Sequence, residues 1–254
     1  MNNRPARSKS DYFFQHLVAT IIALGLAPCV LAETINIGGS GADLATMRLL
    51  AEAFQRVEPK VSVEVLPNLG SGGGLKAVLA GKLDIALLSR ALKDKETQHG
   101  LRVLHYARTP LVFAVARDNP QTKIDRARLV DIYSGRNLRW KHGAPIRLVL
   151  RPDSDSDTLI LKQALPSIVP SLNEAYQRPG LPIAVTDQDA ADAIETIPGA
   201  VGTSTLALLL AEKRKLKPLA VDGVVPSPAT LASGAYPFVK ELYLVLPAAS
   251  PSHV

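Results

Sequence analysis

The sequence predicts an α/β protein with mostly parallel strands. Strand-like and helix-like segments alternate after residue 32, as they do in sheets whose strands are connected by helices. Two glycine-rich turns, Gly38–Gly41 and Gly70–Gly74, each stand between a strand-like and a helix-like segment. In such folds ligands bind beyond the carboxyl ends of the strands, where loops open into helices. We therefore expect the functional residues in these loops.

The individual elements follow from local patterns. Short runs rich in apolar and β-branched residues predict strands at residues 34–38, 61–66, 84–88, 109–116, 146–151, 183–185, 200–203, 218–221 and 241–246. Runs of good helix formers predict helices at residues 43–57, 74–80, 126–133, 157–164, 170–176, 187–196 and 206–215. Asp43 and Asp187 begin two of these helices, and their side chains are expected to cap them.

The first 32 residues have the pattern of a signal peptide. Arg4, Arg7 and Lys9 form a basic start, and an apolar stretch follows up to the small residue Ala32. This pattern predicts export with cleavage after Ala32. An uncleaved membrane anchor is the alternative, although the clean apolar core is short for a membrane span.

Composition restricts the function classes. Residues 1–32 contain three basic residues, one acid and the only cysteine, Cys29, so the remaining chain carries a net charge of +4 and no thiol. This excludes disulfides and thiolate metal sites, and no histidine pair has metal-ligand spacing. The modest positive charge suits a small anion, whereas the few aromatic residues and the lack of a nucleic-acid-binding motif disfavour nucleic acid. We expect no metal ion and no cofactor.

The glycine-rich turn at Gly70–Gly74 is a candidate anion site. Bare N–H groups at the start of a helix attract negative charge, and Ser71 adds a hydroxyl donor. A P-loop would need Gly-Lys-Ser/Thr, but Leu75 precedes Lys76, and Leu75 also replaces the third glycine of a dinucleotide fingerprint. A nucleophile elbow would need glycine where Leu69 stands. A plain tight turn or a linker is the other interpretation.

Four loops, each after a predicted strand, carry small hydroxyl residues, and two of them carry an arginine. If they meet at one edge of the sheet, they offer the neutral donors and the guanidinium that suit a tetrahedral oxyanion. The candidate ligand-binding residues are Ser40, Gly41, Asp43, Ser71, Gly72, Ser89, Arg90, Arg151, Ser156 and Thr158.

Several of these motifs together resemble a known family. The segments are Gly70–Lys76, Gly81–Ala86 and Ser89–Arg90, with later stretches at residues 199–202, 221–227 and 233–237. They are similar to the phosphate-binding component of bacterial phosphate ABC transporters over most of residues 35–246. The resemblance implies a two-lobed type II periplasmic binding protein, with residues 33–108 and 219–254 in one lobe and 109–218 in the other. It also implies a monomer in the periplasm that captures phosphate or a similar oxyanion for a membrane permease.

The resemblance assigns some site residues directly. Ser71 falls on the phosphate-binding serine of the family, and Arg151, Ser156 and Thr158 resemble its arginine and its Ser-Gly-Thr, with Asp157 in place of the glycine.

Two other positions depart from the family pattern. Asp43 stands where a threonine is usual, and Ser89 stands where the family has an aspartate that accepts the proton of a monohydrogen oxyanion. We hypothesise that Asp43 supplies that carboxylate and Ser89 the lost hydroxyl. A plain helix cap is the alternative for Asp43.

Other residues leave alternatives open. Asp153, Asp155 and Asp157 would repel an anion unless they are paired, and Arg90 would pair with a local carboxylate. A sensory or accessory module that acts through protein contacts is therefore the alternative function. An enzyme is not expected, since no serine-bearing loop contains a histidine.

Overall fold

A mixed β-sheet forms the centre of the molecule, and helices pack against it. The computed structural model of the chain describes residues 33–248; the predicted signal peptide, its cleavage point and Cys29 lie outside them. The strands are β1 (Glu33–Gly39), β2 (Val61–Val65), β3 (Ile85–Leu88), β4 (Arg102–Ala116), β5 (Lys123–Ile124), β6 (Arg147–Leu148), β7 (Ala200–Thr205), β8 (Leu216–Pro218), β9 (Ala220–Val221) and β10 (Val239–Leu246). The sheet order is β2-β1-β3-β10-β4-β7-β6, and β8 also pairs with β4.

The helices alternate with the strands along the chain. They are α1 (Leu44–Val57), α2 (Gly70–Leu79), α3 (Asp94–Thr97), α4 (Arg126–Ser134), α5 (Ser156–Ala164), α6 (Val169–Gln177), α7 (Asp187–Thr196), α8 (Leu206–Ala211) and α9 (Pro228–Ala232). The predicted α/β class is confirmed. Within residues 33–248, no helix is both long and apolar enough to cross a membrane.

The directions of the strands correct the prediction of a mostly parallel sheet. β1 pairs with β3, and β6 with β7, in parallel. In contrast, β10 is antiparallel to both of its neighbours β3 and β4, and β4 is antiparallel to β7 and β8. The reason is that β4 carries the chain across the sheet and β10 brings it back, so the two long strands run in opposite directions.

Strand β4 divides the sheet into two halves. Its residues 102–110 pair with β10, and its residues 111–116 pair with β7 and β8. We call β1, β2, β3, β10 and residues 102–110 the first half, and residues 111–116 with β6, β7 and β8 the second half. The predicted boundary between the two lobes, at residues 108 and 109, falls in this part of the chain, and the lobe boundaries remain a prediction.

Helix α2 begins at Gly70, four residues before the predicted start, so the glycine-rich segment lies inside the helix. Gly70 has a φ of +66°, which allows the chain to turn into the helix. A Cβ atom on Gly74 would lie 2.7 Å from the Cα atom of Gly39. The absence of a side chain at Gly74 therefore allows the backbone of α2 to pack directly on β1.

The two halves of the sheet have separate apolar clusters. In the second half, Trp140 is buried and its Nε1 donates to the carbonyl of Gly199 at 3.0 Å. Phe113 and Phe238 pack edge to face beside it in the same cluster, with ring centroids 5.5 Å apart. In the first half, the clusters around Leu75 on α2 and around Met47 on α1 cover the strands. This packing holds the loops at the strand ends in place.

Candidate functional site

A cavity of about 480 Å³ lies where the predicted loops meet. The starts of α2, α5 and α7 surround it, together with the loops after β1 and β3. Its lining comprises Ser40, residues 68–72, Ser89, Arg90, Lys93, Arg151, Pro152, residues 154–156 and residues 185–187. Of the predicted site residues, it therefore includes Ser40, Ser71, Gly72, Ser89, Arg90, Arg151 and Ser156.

Three serine hydroxyl groups from different loops contact one another at this cavity. The Oγ atom of Ser89 lies 3.2 Å from that of Ser71 and 3.1 Å from that of Ser156. The backbone N–H of Ser89 also donates to the Oγ atom of Ser71 at 3.1 Å. Ser71 belongs to the first turn of α2, and Ser156 begins α5. The hydroxyls therefore form one continuous chain between the starts of two helices, where negative charge is favoured.

Arg151 lines the cavity but is already engaged by protein groups. Its Nη2 and Nε atoms donate to the carboxylate of Asp155 at 3.0 and 3.3 Å, and its Nη1 atom donates to the carbonyl of Ala184 at 3.0 Å. Asp157 and Asp187 lie at 3.8 and 3.7 Å from the guanidinium. Burial acts to lower the pKa of Arg151, but these three carboxylates outweigh it and raise that pKa. A ligand would therefore meet a guanidinium whose charge is partly compensated.

A buried lysine, Lys240 on β10, accompanies these carboxylates and has no counterpart among the predicted site residues. Its Nζ atom lies 2.5 Å from Oδ1 of Asp157 and 3.2 Å from Oδ1 of Asp187. The other oxygen of Asp157 accepts a hydrogen bond from Thr203 at 2.8 Å. In the sequence, Lys240 is a single basic residue within an apolar strand, and no motif marks it as part of a site.

Asp43 is buried and does not line the cavity, so the structure does not bring it to the place of the hypothesised acceptor carboxylate. Nor does it form the predicted cap, although it occupies the N-cap position of α1. Instead, its Oδ2 atom accepts a hydrogen bond from the hydroxyl of Tyr106 at 2.8 Å. The carboxylates that do line the cavity are those of Asp155 and Asp187.

Two other predicted residues also lie outside the lining. Thr158 is buried and faces Tyr176 of α6. It stands two residues after Ser156 on the same helix, so its side chain points to the opposite face. Gly41 is enclosed by Asn68 and Gln188; its carbonyl accepts from the Gln188 side chain at 3.0 Å. Both residues position the loops behind the cavity.

Arg90 lines the cavity and pairs with a local carboxylate, as its alternative interpretation predicts. Its two terminal nitrogens donate to the two oxygens of Glu96 at 2.7 and 3.0 Å. The hydrogen bond from Arg90 lowers the pKa of Glu96. The pair therefore contributes little net charge to the cavity.

The start of α7 corrects one predicted cap and adds residues to the cavity. Thr186, not Asp187, is the N-cap residue, and its hydroxyl accepts from the N–H of Asp189 at 3.0 Å. Asp187 is the first helical residue, and it faces Arg151 and Lys240 instead. The Asn68 side chain, which also lines the cavity, donates to Gln188 at 2.7 Å. Asn68 and Gln188 are distant in sequence, so no local pattern connects them.

Among residues 33–248, no group of three or more His, Cys, Asp or Glu side chains is arranged to hold a metal ion. The polar groups of the cavity are hydroxyls, helix starts and charged pairs, which are suited to binding an anion through hydrogen bonds.

A family model described as "PBP superfamily domain" matches residues 30–252. The chain belongs to the PBP superfamily. Two of its relatives are described as a phosphate-binding protein and as a substrate-binding protein, in agreement with the sequence analysis, which expects no enzyme. The resemblance that the sequence motifs indicate is thereby confirmed at the level of the family.

Individual members of the superfamily resemble different portions of the chain. The phosphate-binding protein PstS of Bacillus subtilis is 27% identical over 215 residues, which cover 80% of this chain and 67% of that protein. Phosphate-binding protein PstS 2 of Streptococcus pneumoniae is 30% identical over 112 residues. That match spans 43% of this chain and only 37% of the length of PstS 2.

A solved structure resembles the whole fold. It is described as a phosphate ABC transporter substrate-binding protein from Clostridium perfringens with bound phosphate. The two structures superpose with a TM-score of 0.71 over 84% of this chain and 86% of the other, at 24% identity. This likeness shows that the chain has the type II periplasmic binding protein fold.

Proposed function

We propose that this chain is a periplasmic solute-binding protein that captures phosphate or a similar tetrahedral oxyanion for the membrane permease of an ABC transporter. The observation that carries this proposal is the contact of the Ser71, Ser89 and Ser156 hydroxyls at a cavity between two helix starts. The names of the relatives from Bacillus subtilis and Streptococcus pneumoniae support phosphate as the ligand.

The proposed binding mechanism uses hydrogen bonds that are sheltered from water. Hydroxyls and helix N–H groups donate to the oxyanion, and Arg151 supplies the charged donor. Closure of the two predicted lobes excludes water, which strengthens these bonds, and reopening at the permease releases the ion. In this mechanism Ser40 and Gly72 shape the cavity, while Gly41, Asp43 and Thr158 support it from behind.

The cavity carboxylates favour an oxyanion that carries a proton. Asp155 lines the cavity next to Arg151. Its burial and, to a smaller extent, the negative charge of Asp157 raise the pKa of Asp155. A carboxylate accepts a hydrogen bond from a monohydrogen oxyanion and repels one that has no proton to donate. We therefore propose that phosphate is bound in preference to sulfate. In this proposal Asp155, and not Asp43, is the carboxylate that accepts the hydrogen bond from the protonated oxyanion.

The export part of the proposal concerns the first 32 residues. The basic start and the apolar stretch support a signal peptide, and a chain cleaved after Ala32 would begin at Glu33, the first residue of β1. Intact-mass measurement of the protein from a periplasmic fraction tests this. A mass equal to that of a chain beginning at Glu33 supports the proposal, whereas a full-length, membrane-bound product supports the uncleaved anchor.

Calorimetric titration with phosphate tests the binding function. The unaltered chain is expected to bind phosphate, and Ser89→Ala is expected to weaken binding by about tenfold or more, since a hydrogen bond to a charged group contributes roughly 1.5–3 kcal/mol. Ser167→Ala removes an exposed serine that is not part of the cavity lining, and it is the matched control. Equal affinities of the unaltered chain and Ser89→Ala would contradict the proposed site.

A second function is favoured by one specific observation. Arg151 and Arg90, the two arginines of the cavity, are both paired with carboxylates of the protein itself. A module that acts through protein contacts would not need these two arginines to be free for a ligand. Absence of phosphate binding in the titration, together with a folded chain, supports this sensory or accessory role.

A further inference from the structure

We propose that Lys240 is a positioning residue of the oxyanion site, which holds Asp157 and Asp187 so that Arg151 keeps positive charge available to the ligand. This inference rests on the proposed function, because it concerns the charge that the bound oxyanion meets. Lys240 does not line the cavity and acts through the two carboxylates.

The position of Lys240 is unusual for a lysine. Its side chain is 0% exposed, and Asp157 is 1% exposed. An isolated buried ammonium group is strongly disfavoured, so a buried lysine is expected only where carboxylates surround it. Asp157 is the second residue of α5, and Asp187 is the first residue of α7. One ammonium group on β10 therefore holds the starts of two of the three helices that surround the cavity.

The distances show how the two carboxylates divide between the cations. Asp157 lies 2.5 Å from Lys240 but 3.8 Å from Arg151, and Asp187 lies 3.2 Å from Lys240 but 3.7 Å from Arg151. Both acids are thus nearer to the ammonium than to the guanidinium. The close hydrogen-bonded partner of Arg151 is Asp155, at 3.0 Å.

The ionisation of the cluster agrees with this division. Burial acts to lower the pKa of Lys240, but the attraction of Asp157 and Asp187 outweighs it and raises that pKa. Burial likewise acts to raise the pKa of Asp157, and the attraction of Lys240 and Arg151 outweighs it and lowers that pKa. Both groups are therefore charged at neutral pH, and loss of Lys240 would leave Arg151 alone to balance the acids.

The local charge explains why this matters for an anion. Arg151 and Lys240 face the carboxylates of Asp155, Asp157 and Asp187. Removing the ammonium makes the surroundings more negative by one charge in a region with little water, where Coulomb interactions are strong. Removing the carboxylate of Asp157 has the opposite effect. Because Asp157 lies outside the cavity lining, Asp157→Asn changes the charge without removing a ligand contact.

A charge-swap cycle tests the inference. Phosphate affinity is measured by calorimetry for the unaltered chain, Lys240→Met, Asp157→Asn and the double variant. We expect Lys240→Met to bind roughly tenfold more weakly or worse, Asp157→Asn to bind more tightly, and the double variant to return to within about threefold of the unaltered chain. A purely structural role predicts weaker binding for each variant and no gain for Asp157→Asn.

Stability is controlled within the same cycle. Removing one partner of a buried ion pair is strongly destabilising, so each variant is checked by circular dichroism and thermal unfolding. If Lys240→Met does not fold, Asp157→Asn and the double variant still test the inference. In both of them residue 157 is uncharged, so it needs no ammonium partner. Failure of Asp157→Asn to tighten binding, with phosphate bound by the unaltered chain, overturns this inference alone. Absence of phosphate binding by the unaltered chain overturns the proposed function and this inference together.

Discussion

Asp43 shows what burial does to a single carboxyl group in this protein. It is 1% exposed, its Oδ2 atom accepts from Tyr106, and its Oδ1 atom has no hydrogen-bond partner among the described residues. Burial raises the pKa of Asp43 to about 7, and the negative charge of Asp187 adds to this, while Tyr106 and Lys240 act in the opposite direction. Near neutral pH the group is therefore divided between its neutral and charged forms.

This raised pKa predicts that Asp43 costs stability as the pH rises. Because the folded pKa exceeds the unfolded value, the cost is absent below about pH 4, grows towards pH 7 and is complete above it. Asp43→Asn, which resembles the neutral acid, should therefore match the unaltered chain at pH 4 and exceed its stability at pH 8 by on the order of a few kcal/mol. Urea unfolding at the two pH values measures this difference.

The control for this experiment uses an exposed acid. Asp118→Asn removes a carboxylate at an exposed position, so its effect on the free energy of unfolding should change little between the two pH values. A constant difference between Asp43→Asn and the unaltered chain across this range would show that Asp43 does not titrate as described.

At the same scale, side chains differ in how far the sequence predicts them. The meeting of Ser71, Ser89 and Ser156 is predicted, because each follows or begins an element at the same edge of the sheet. Lys240 and Asn68 are not predicted, because their roles depend on partners more than 50 residues away. Thr158 lies outside the cavity lining because it is on the opposite face of α5 from Ser156. Which face a residue occupies depends on where the helix begins, and the sequence does not give that start exactly.

Helix α2 shows how tertiary packing overrides local propensity. Glycine in a helix interior is destabilising by roughly 0.5–1 kcal/mol relative to alanine, so a run of glycines predicts a turn and not a helix. The chain nevertheless forms a helix from Gly70, because Gly74 allows close approach to β1. Helix boundaries of this kind depend on neighbours that a local pattern does not contain.

This packing predicts different effects for two glycines of the same helix. Gly74→Ala places a methyl group 2.7 Å from the Cα atom of Gly39, so it should lower the free energy of unfolding by about 1–3 kcal/mol. Gly72→Ala meets no atom within 4 Å and should raise that free energy by up to about 1 kcal/mol through helix propensity. Urea unfolding of the two variants compares them, and equal effects would contradict the close approach.

At the scale of the whole molecule, β4 and β10 connect the two halves of the sheet. Strand β4 contains 15 residues and pairs with strands of both halves, while Lys240 on β10 joins α5 and α7. The sequence predicts the α/β alternation correctly, because local periodicity determines it. It does not predict the antiparallel directions, because these depend on where the chain crosses the sheet.

These connections predict that the two halves unfold together. Trp140, the only tryptophan, lies in the second-half cluster, so its fluorescence reports on that half, whereas far-UV circular dichroism reports on all elements. Urea curves from the two signals should have the same midpoint, as a two-state transition requires. A fluorescence midpoint separated from the dichroism midpoint would show that the halves unfold as independent units.

The hydroxyl chain at the cavity has a consequence for how an ion would be received. Each serine hydroxyl is a rotor whose proton turns while the heavy atoms stay in place. Because the N–H of Ser89 occupies a lone pair of Ser71, the proton of Ser71 points either to Ser89 or into the cavity. The hydrogen bonds from Ser71 through Ser89 to Ser156 can therefore run in either of two directions, while the oxygen atoms keep the same positions. An arriving oxyanion would reverse this direction without rebuilding any side chain, and the same oxygens would accept from a protonated ligand or donate to a bare one.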